Sequence, residues 1–125
     1  MDYNANIAIE IVEYGEFVVV AVEGEVDVDA AAVLEESLAV ADATGAATIV
    51  VDLDRVNFMD SAGLHVLLQF SISGDNRARL ALTHGSPQVW RLLQVTGVRR
   101  YLSFVESPAR EADALQVVGR LRLTR

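Results

Sequence analysis

Thr48-Ile49-Val50-Val51-Asp52-Leu53, then Asp54 to Met59, then Asp60-Ser61-Ala62-Gly63-Leu64, is the stretch on which the fold turns. The first run is apolar without strict alternation, the pattern of a strand covered on both faces by helices, so it predicts a central strand. Asp54 to Met59 reads as a short link. From Ser61 onward, Leu64, Leu67 and Leu68 share one helical face, His65, Gln69 and Ile72 share another, and Gly74 ends the pattern. Ser61 therefore stands between strand and helix, where the first helical N–H groups point outward unpaired and negative charge is stabilised. A hydroxyl at that place would tolerate a phosphate. Ser61 is thus a candidate switch as well as a candidate helix cap.

Working outward, Ile7 to Val12 and Phe17 to Val22 are β-branched runs separated by Glu13-Tyr14-Gly15-Glu16, which predicts a hairpin. After Gly24 the period changes. Ala30, Leu34, Leu38 and Ala41 recur at helical spacing, with Asp29 or Asp27 available as N-cap and Gly45 as the stop, so a helix is predicted over Ala30 to Thr44. Arg79 to Thr83 predicts another strand. Ser86-Pro87 then places a capping hydroxyl ahead of a proline suited to the first helical position, with Val89, Trp90 and Leu93 as the buried face and Gly97 as the end. Leu102 to Val105 predicts a short last strand, and Ser107-Pro108 opens a fourth helix carrying Leu115 and Val118; the tail Arg120 to Arg125 is expected to fray. A hairpin followed by alternating strands and helices implies an α/β domain, with a mixed sheet of about four or five strands and about four helices.

At 125 residues and 52% hydrophobic, the chain has material for one core, so residues 1–125 are expected to form a single domain with its core at about 5–118. The net charge of −8 and scattered basic residues argue against a nucleic-acid surface, which needs clustered cations, and favour a protein partner. All ten basic residues are arginine, and there is no cysteine for a disulfide or thiolate metal site. No apolar run approaches the roughly 18 residues of a membrane span, and the N-terminus lacks the layout of a secretion signal. A soluble cytoplasmic protein is the expectation.

Three chemical readings compete with a switch. Met59-Asp60-Ser61-Ala62-Gly63 has the outline of a hydrolase nucleophile elbow, but Met59 replaces the first glycine, and His65, one turn beyond Ser61, lacks an orienting carboxylate. A phosphoaspartate receiver would use Asp52 or Asp54 with a lysine, and the chain has no lysine. Asp52 and Asp54 read instead as strand-end turn formers with Arg55 nearby. His65 and His84 are too far apart in sequence to suggest a metal site, so no metal or cofactor is expected.

Four segments carry a family resemblance: Gly24-Glu25-Val26-Asp27, Asp52-Leu53, Phe58-Met59-Asp60-Ser61-Ala62-Gly63-Leu64, and Leu92-Leu93-Gln94-Val95-Thr96-Gly97-Val98. In this order the chain resembles the anti-sigma factor antagonists of the STAS domain family. The resemblance implies a non-enzymatic regulator. Its unphosphorylated form would bind an anti-sigma factor, itself a serine kinase with a histidine-kinase-like ATPase fold, and so free a sigma factor. Phosphorylation at Ser61 would end the binding and a serine phosphatase would restore it, with no direct contact to nucleic acid or membrane. The partner-binding residues would be Glu25, Asp27, Asp60, Ser61, Ala62, Gly63, Leu64 and His65. Asp27 reads equally well as a helix cap, and Glu25 reads better as solvated surface. Gly63 would be needed either for kinase approach or for helix-on-strand packing. The chain departs from the common pattern at Ala62, often Ser or Thr, which leaves Ser61 as the acceptor, and at His65, often glycine, which places an imidazole on the same surface. The alternative is a STAS-type scaffold that binds a transporter or signalling complex without being phosphorylated.

Overall fold

The computed structural model describes residues 6–73, 79–106 and 119–124. Along the chain come β1 (Ile7–Glu13), β2 (Phe17–Val26), α1 (Val28–Ala43), β3 (Thr48–Met59), α2 (Ser61–Ile72), β4 (Leu80–Leu82), α3 (Pro87–Val95), a 3-10 turn (Val98–Tyr101), β5 (Ser103–Phe104) and β6 (Gly119–Thr124). The six strands form one mixed sheet in the order β5-β4-β3-β2-β1-β6. Strands β2 to β5 run parallel, and β1 pairs antiparallel with both β2 and β6. The α/β class and the mixed sheet agree with the sequence; the sheet has six strands rather than four or five, and three α-helices lie among the described residues. The fourth helix expected after Ser107-Pro108 lies outside the described residues.

Alternation decides which face each strand presents. Ile7, Ile9 and Ile11 of β1, Val18, Val20 and Val22 of β2, and Ile49, Val51 and Leu53 of β3 are buried in one cluster. Against them pack Ala30, Leu34, Leu38 and Ala41 of α1, Leu64 and Leu67 of α2, and Val89 and Leu93 of α3. Among the described residues no helix is long and apolar enough to cross a membrane.

Three boundaries differ from expectation, each for a tertiary reason. The Asp54–Met59 link is strand: β3 continues to Met59 because β2 continues beside it as far as Val26, with register shifts at Ala21/Glu23 and Gly24/Glu25 that absorb the broken alternation. Gly24 sits at that irregularity with φ +107, and a Cβ there would collide with the Asn6 carbonyl, so only glycine fits. Asp52 and Asp54 therefore lie within β3 and do not form a strand-end turn. Helix α1 begins at Val28 with Asp27 as its N-cap, its Oδ1 accepting the Ala30 N–H at 3.0 Å; Asp29 lies in the first turn. The tail expected to fray is drawn into β6, where Leu121 and Leu123 sit opposite Ile11 and Ile9. Arg120 and Arg122 there flank Glu10 at 3.6 and 3.8 Å.

Candidate functional site: the strand–helix turn at Ser61

The carboxyl ends of β2 and β3 lie side by side, with Val26 opposite Met59 and Glu25 opposite Phe58. Each strand runs directly into a helix opened by an aspartate, Asp27 for α1 and Asp60 for α2. Two helix N-termini thus meet at one end of the sheet, where their partial positive charges add and carboxylates are stabilised.

Met59 is fully buried and its peptide is held from both sides. On the β2 side, the next residue's amide, Asp60 N–H, donates to the Val26 carbonyl at 3.1 Å. On the other side, Gln88 of α3 accepts the Met59 N–H at 2.9 Å and donates its Nε2 to the Met59 carbonyl at 3.1 Å. Asp60 then takes an extended backbone, and its Oδ1 accepts the N–H groups of Ala62 at 2.9 Å and Gly63 at 3.4 Å. The N-cap is therefore Asp60, and Ser61 is the first helical residue. Both residue types cap helices well, and the choice falls to the one whose N–H still belongs to the sheet. Ser61 is exposed, and among the described residues no group hydrogen-bonds its hydroxyl.

The remaining residues singled out from the sequence divide by burial. Gly63 is buried, and a Cβ on it would come 2.6 Å from Val26 Cγ1 and 3.1 Å from Met59 Cγ. Helix-on-strand packing thus accounts for glycine at this position. Leu64 is 5% exposed and belongs to the core, so Gly63 and Leu64 seat the helix against the sheet. Ala62 is half-buried against the core. His65 is exposed and, among the described residues, forms no hydrogen bond with Ser61. Glu25 is exposed and accepts a hydrogen bond from Asn6 Nδ2 at 3.3 Å. Because β2 ends at Val26, Glu25 and Asp27 do not share a strand face: Glu25 lies on the outer face and Asp27 turns to cap α1.

Sequence reasoning missed three residues at this end of the molecule. Phe58 is 41% exposed and Val28 is 70% exposed, so two large apolar side chains accompany the acidic groups. Phe58 stood in the quoted motif, but its outward direction follows only from β3 continuing to Met59. Gln88 carried no signal, since nothing local tells which backbone group a helix-borne amide will meet.

Asp52 lies on the outer face of β3. Burial pushes its carboxyl above the ordinary value of 3.8 and the Asp54 charge adds to this, opposed by the Asp54 N–H, the Thr83 hydroxyl and Arg55. It lines a cavity of about 450 Å³ with Ala8, Glu10, Ala21, Glu23 and Arg122, which contains none of the residues of the Ser61 turn. Among the described residues no group of three or more His, Asp or Glu side chains is gathered as for a metal ion.

The fold and this turn define a small α/β domain that offers an exposed serine where a central strand becomes a helix. The chain belongs to the STAS domain family, whose model matches residues 8–111. It is 33% identical over 95 residues to the anti-sigma-B factor antagonist of Staphylococcus aureus, spanning 75% of this chain and 88% of that protein. Among solved structures, an anti-sigma factor antagonist from Mycobacterium paratuberculosis shares the fold with a TM-score of 0.74 at 23% identity, covering 90% of this chain and 98% of that one. The anti-sigma factor antagonist SpoIIAA in its unphosphorylated form shares it with a TM-score of 0.62 at 21% identity, covering 85% and 95%. The phosphorylated form of the Bacillus cell fate determinant SpoIIAA shares it with a TM-score of 0.57 at 22% identity, covering 85% and 98%.

Proposed function

We propose that this protein is an anti-sigma factor antagonist, a non-enzymatic regulator that binds an anti-sigma factor through the Ser61 end of the sheet and is switched off by phosphorylation of Ser61. The anti-sigma factor would itself be the serine kinase, with a histidine-kinase-like ATPase fold, and a serine phosphatase would reset the switch. The observation that carries the reading is the exposed Ser61 hydroxyl, unengaged among the described residues, at the first position of α2. The likeness to the Staphylococcus aureus antagonist supports it.

The physics of such a switch is local. A phosphoserine adds about −1.5 to −2 charge and three acceptor oxygens. The nearest helical N–H groups, those of Ala62 and Gly63, are already occupied by Asp60, so the phosphate would gain the helix field but few direct bonds. It would lie beside the carboxylate of Asp60 on a surface that also carries Asp27 and Asp29. Among the described residues none of these three forms an ion pair. A partner that desolvates a small hydroxyl there would meet bulk and concentrated negative charge, and a loss of about 3 kcal/mol weakens binding by about two powers of ten.

The test is capture from lysate of the source cell with wild type, Ser61→Ala and Ser61→Asp as baits, in ATP or ADP. Capture of an ATPase-fold kinase by wild type and Ser61→Ala, but not by Ser61→Asp, is expected. Equal capture of one transporter or signalling protein by all three would instead establish a constitutive scaffold. Phosphate incorporation into Ser61→Ala would disprove the site.

A further inference from the structure

Strand β4 pairs with β3 at Ile49 to Val51, and directly after it Thr83 donates its N–H to the Val51 carbonyl and accepts the Leu53 N–H on its Oγ1 at 2.8 Å; past Leu53, among the described residues, only β2 pairs with β3. At the last residue of β3 a single side chain takes the place of the missing strand. The Gln88 amide accepts the Met59 N–H and donates to the Met59 carbonyl, as a neighbouring strand would. At neutral pH, where exposed carboxyls are ionised and accept only, the primary amides of Gln and Asn are the side chains that carry a donor and an acceptor side by side in this way. The neighbouring features of α3 do not depend on this bond. Ser86 caps the helix at Val89 N–H, and Val89 and Leu93 bury its face in the core.

We propose that Gln88 is a positioning residue for the Ser61 switch. The Met59 peptide is joined directly to Asp60, so its orientation decides whether the Asp60 carboxylate reaches Ala62 and Gly63 and where the Ser61 hydroxyl points. Without the amide, the Met59 N–H and carbonyl lie unpaired beside a fully buried side chain, and the peptide turns to find other partners. That rotation passes into the first turn of α2. Granted the antagonist role proposed above, α3 thereby sets the geometry that the anti-sigma factor reads.

The test compares Gln88→Met, which keeps the length and unbranched shape but not the hydrogen bonds, with Gln94→Met, the same change at an exposed position of α3. Amide hydrogen exchange, followed by NMR on the isolated protein, reads the turn without a partner. Gln88→Met is expected to speed exchange at Met59, Ala62 and Gly63 by roughly tenfold while core amides such as Val51 keep wild-type rates. Affinity for the anti-sigma factor captured with wild type is expected to fall roughly tenfold, with Gln94→Met matching wild type in both exchange and affinity. Unchanged exchange at Ala62 and Gly63 would overturn the proposal, as would faster exchange with unaltered affinity. If wild type captures no anti-sigma factor, the antagonist reading fails, and the exchange at Ala62 and Gly63 still decides whether Gln88 positions Ser61.

Discussion

Gly63 shows how little room the Ser61 turn leaves. Its missing Cβ would press on Val26 and Met59, both fully buried, and close-packed interiors yield poorly to an extra methyl. Alanine is favoured over glycine in a helix by about 1 kcal/mol, whereas overpacking costs about 1 to 3 kcal/mol. Gly63→Ala is therefore expected to lower the urea midpoint, by about 1 kcal/mol of stability in balance; a raised midpoint would mean that α2 shifts freely on the sheet. Asp52 supplies a second prediction at this scale. Its carboxyl is raised in the folded state, so the folded protein holds its proton more tightly than the unfolded chain. Stability is then fully present below the ordinary value of 3.8 and is lost as pH rises through the higher folded value. Asp52→Asn, which keeps Oδ1 for the Asp54 N–H at 3.0 Å, is expected to raise the melting temperature at neutral pH, with the gain vanishing in acid. A gain that persists at low pH would exclude ionisation as its cause. Ser61 was legible as a hydroxyl at the junction of strand and helix, and it is exposed there. That Asp60 and not Ser61 caps α2 was not legible, since Asp and Ser cap comparably and strand pairing made the choice.

Among the elements, β3 and β6 separate what local pattern reveals from what pairing imposes. The apolar run Thr48 to Leu53 was readable as a strand, but Asp54 to Met59 mixes polar and apolar residues irregularly and becomes strand because β2 runs beside it through two register shifts. The segment Arg120 to Thr124 alternates charge and leucine, a weak signal in a terminal position, and its strand state depends on β1 as partner. By covering the β1 edge, β6 also protects a row of backbone groups that would otherwise be open to another chain. Deleting residues 119–125 is accordingly expected to shift the protein toward self-associated species in size-exclusion chromatography. A deletion variant that elutes as wild type across a concentration series would show that the β1 edge is not adhesive. The helices were easier to read, since Ser86-Pro87 and Gly97 bound α3 at nearly the positions observed.

For the whole molecule, the charge of −8 and the gathering of Asp27, Asp29 and Asp60 at one end of the sheet favour encounter with a basic partner surface. The association rate with the captured anti-sigma factor is expected to fall steeply as salt is raised from low to physiological strength, where the screening length shortens to about 8 Å. A rate indifferent to salt, measured by stopped flow through Trp90 fluorescence, would remove the acidic end from the encounter. Under the proposed function, truncating exposed Phe58 or Val28 at the same end to alanine is expected to raise the dissociation rate of the complex.

The sequence alone determined the α/β class, the hairpin, the central strand, the helix opening at Ser61 and the family, because these follow from periodicity, capping chemistry and ordered motifs, all short-range properties of the chain. Tertiary structure decided the length of β3, the pairing of β6, the cap at Asp60, the burial of Gly63 and Leu64 and the Gln88 clamp. Each depends on which backbone group a distant residue meets, and the partners in these contacts lie on separate elements whose register no local pattern encodes.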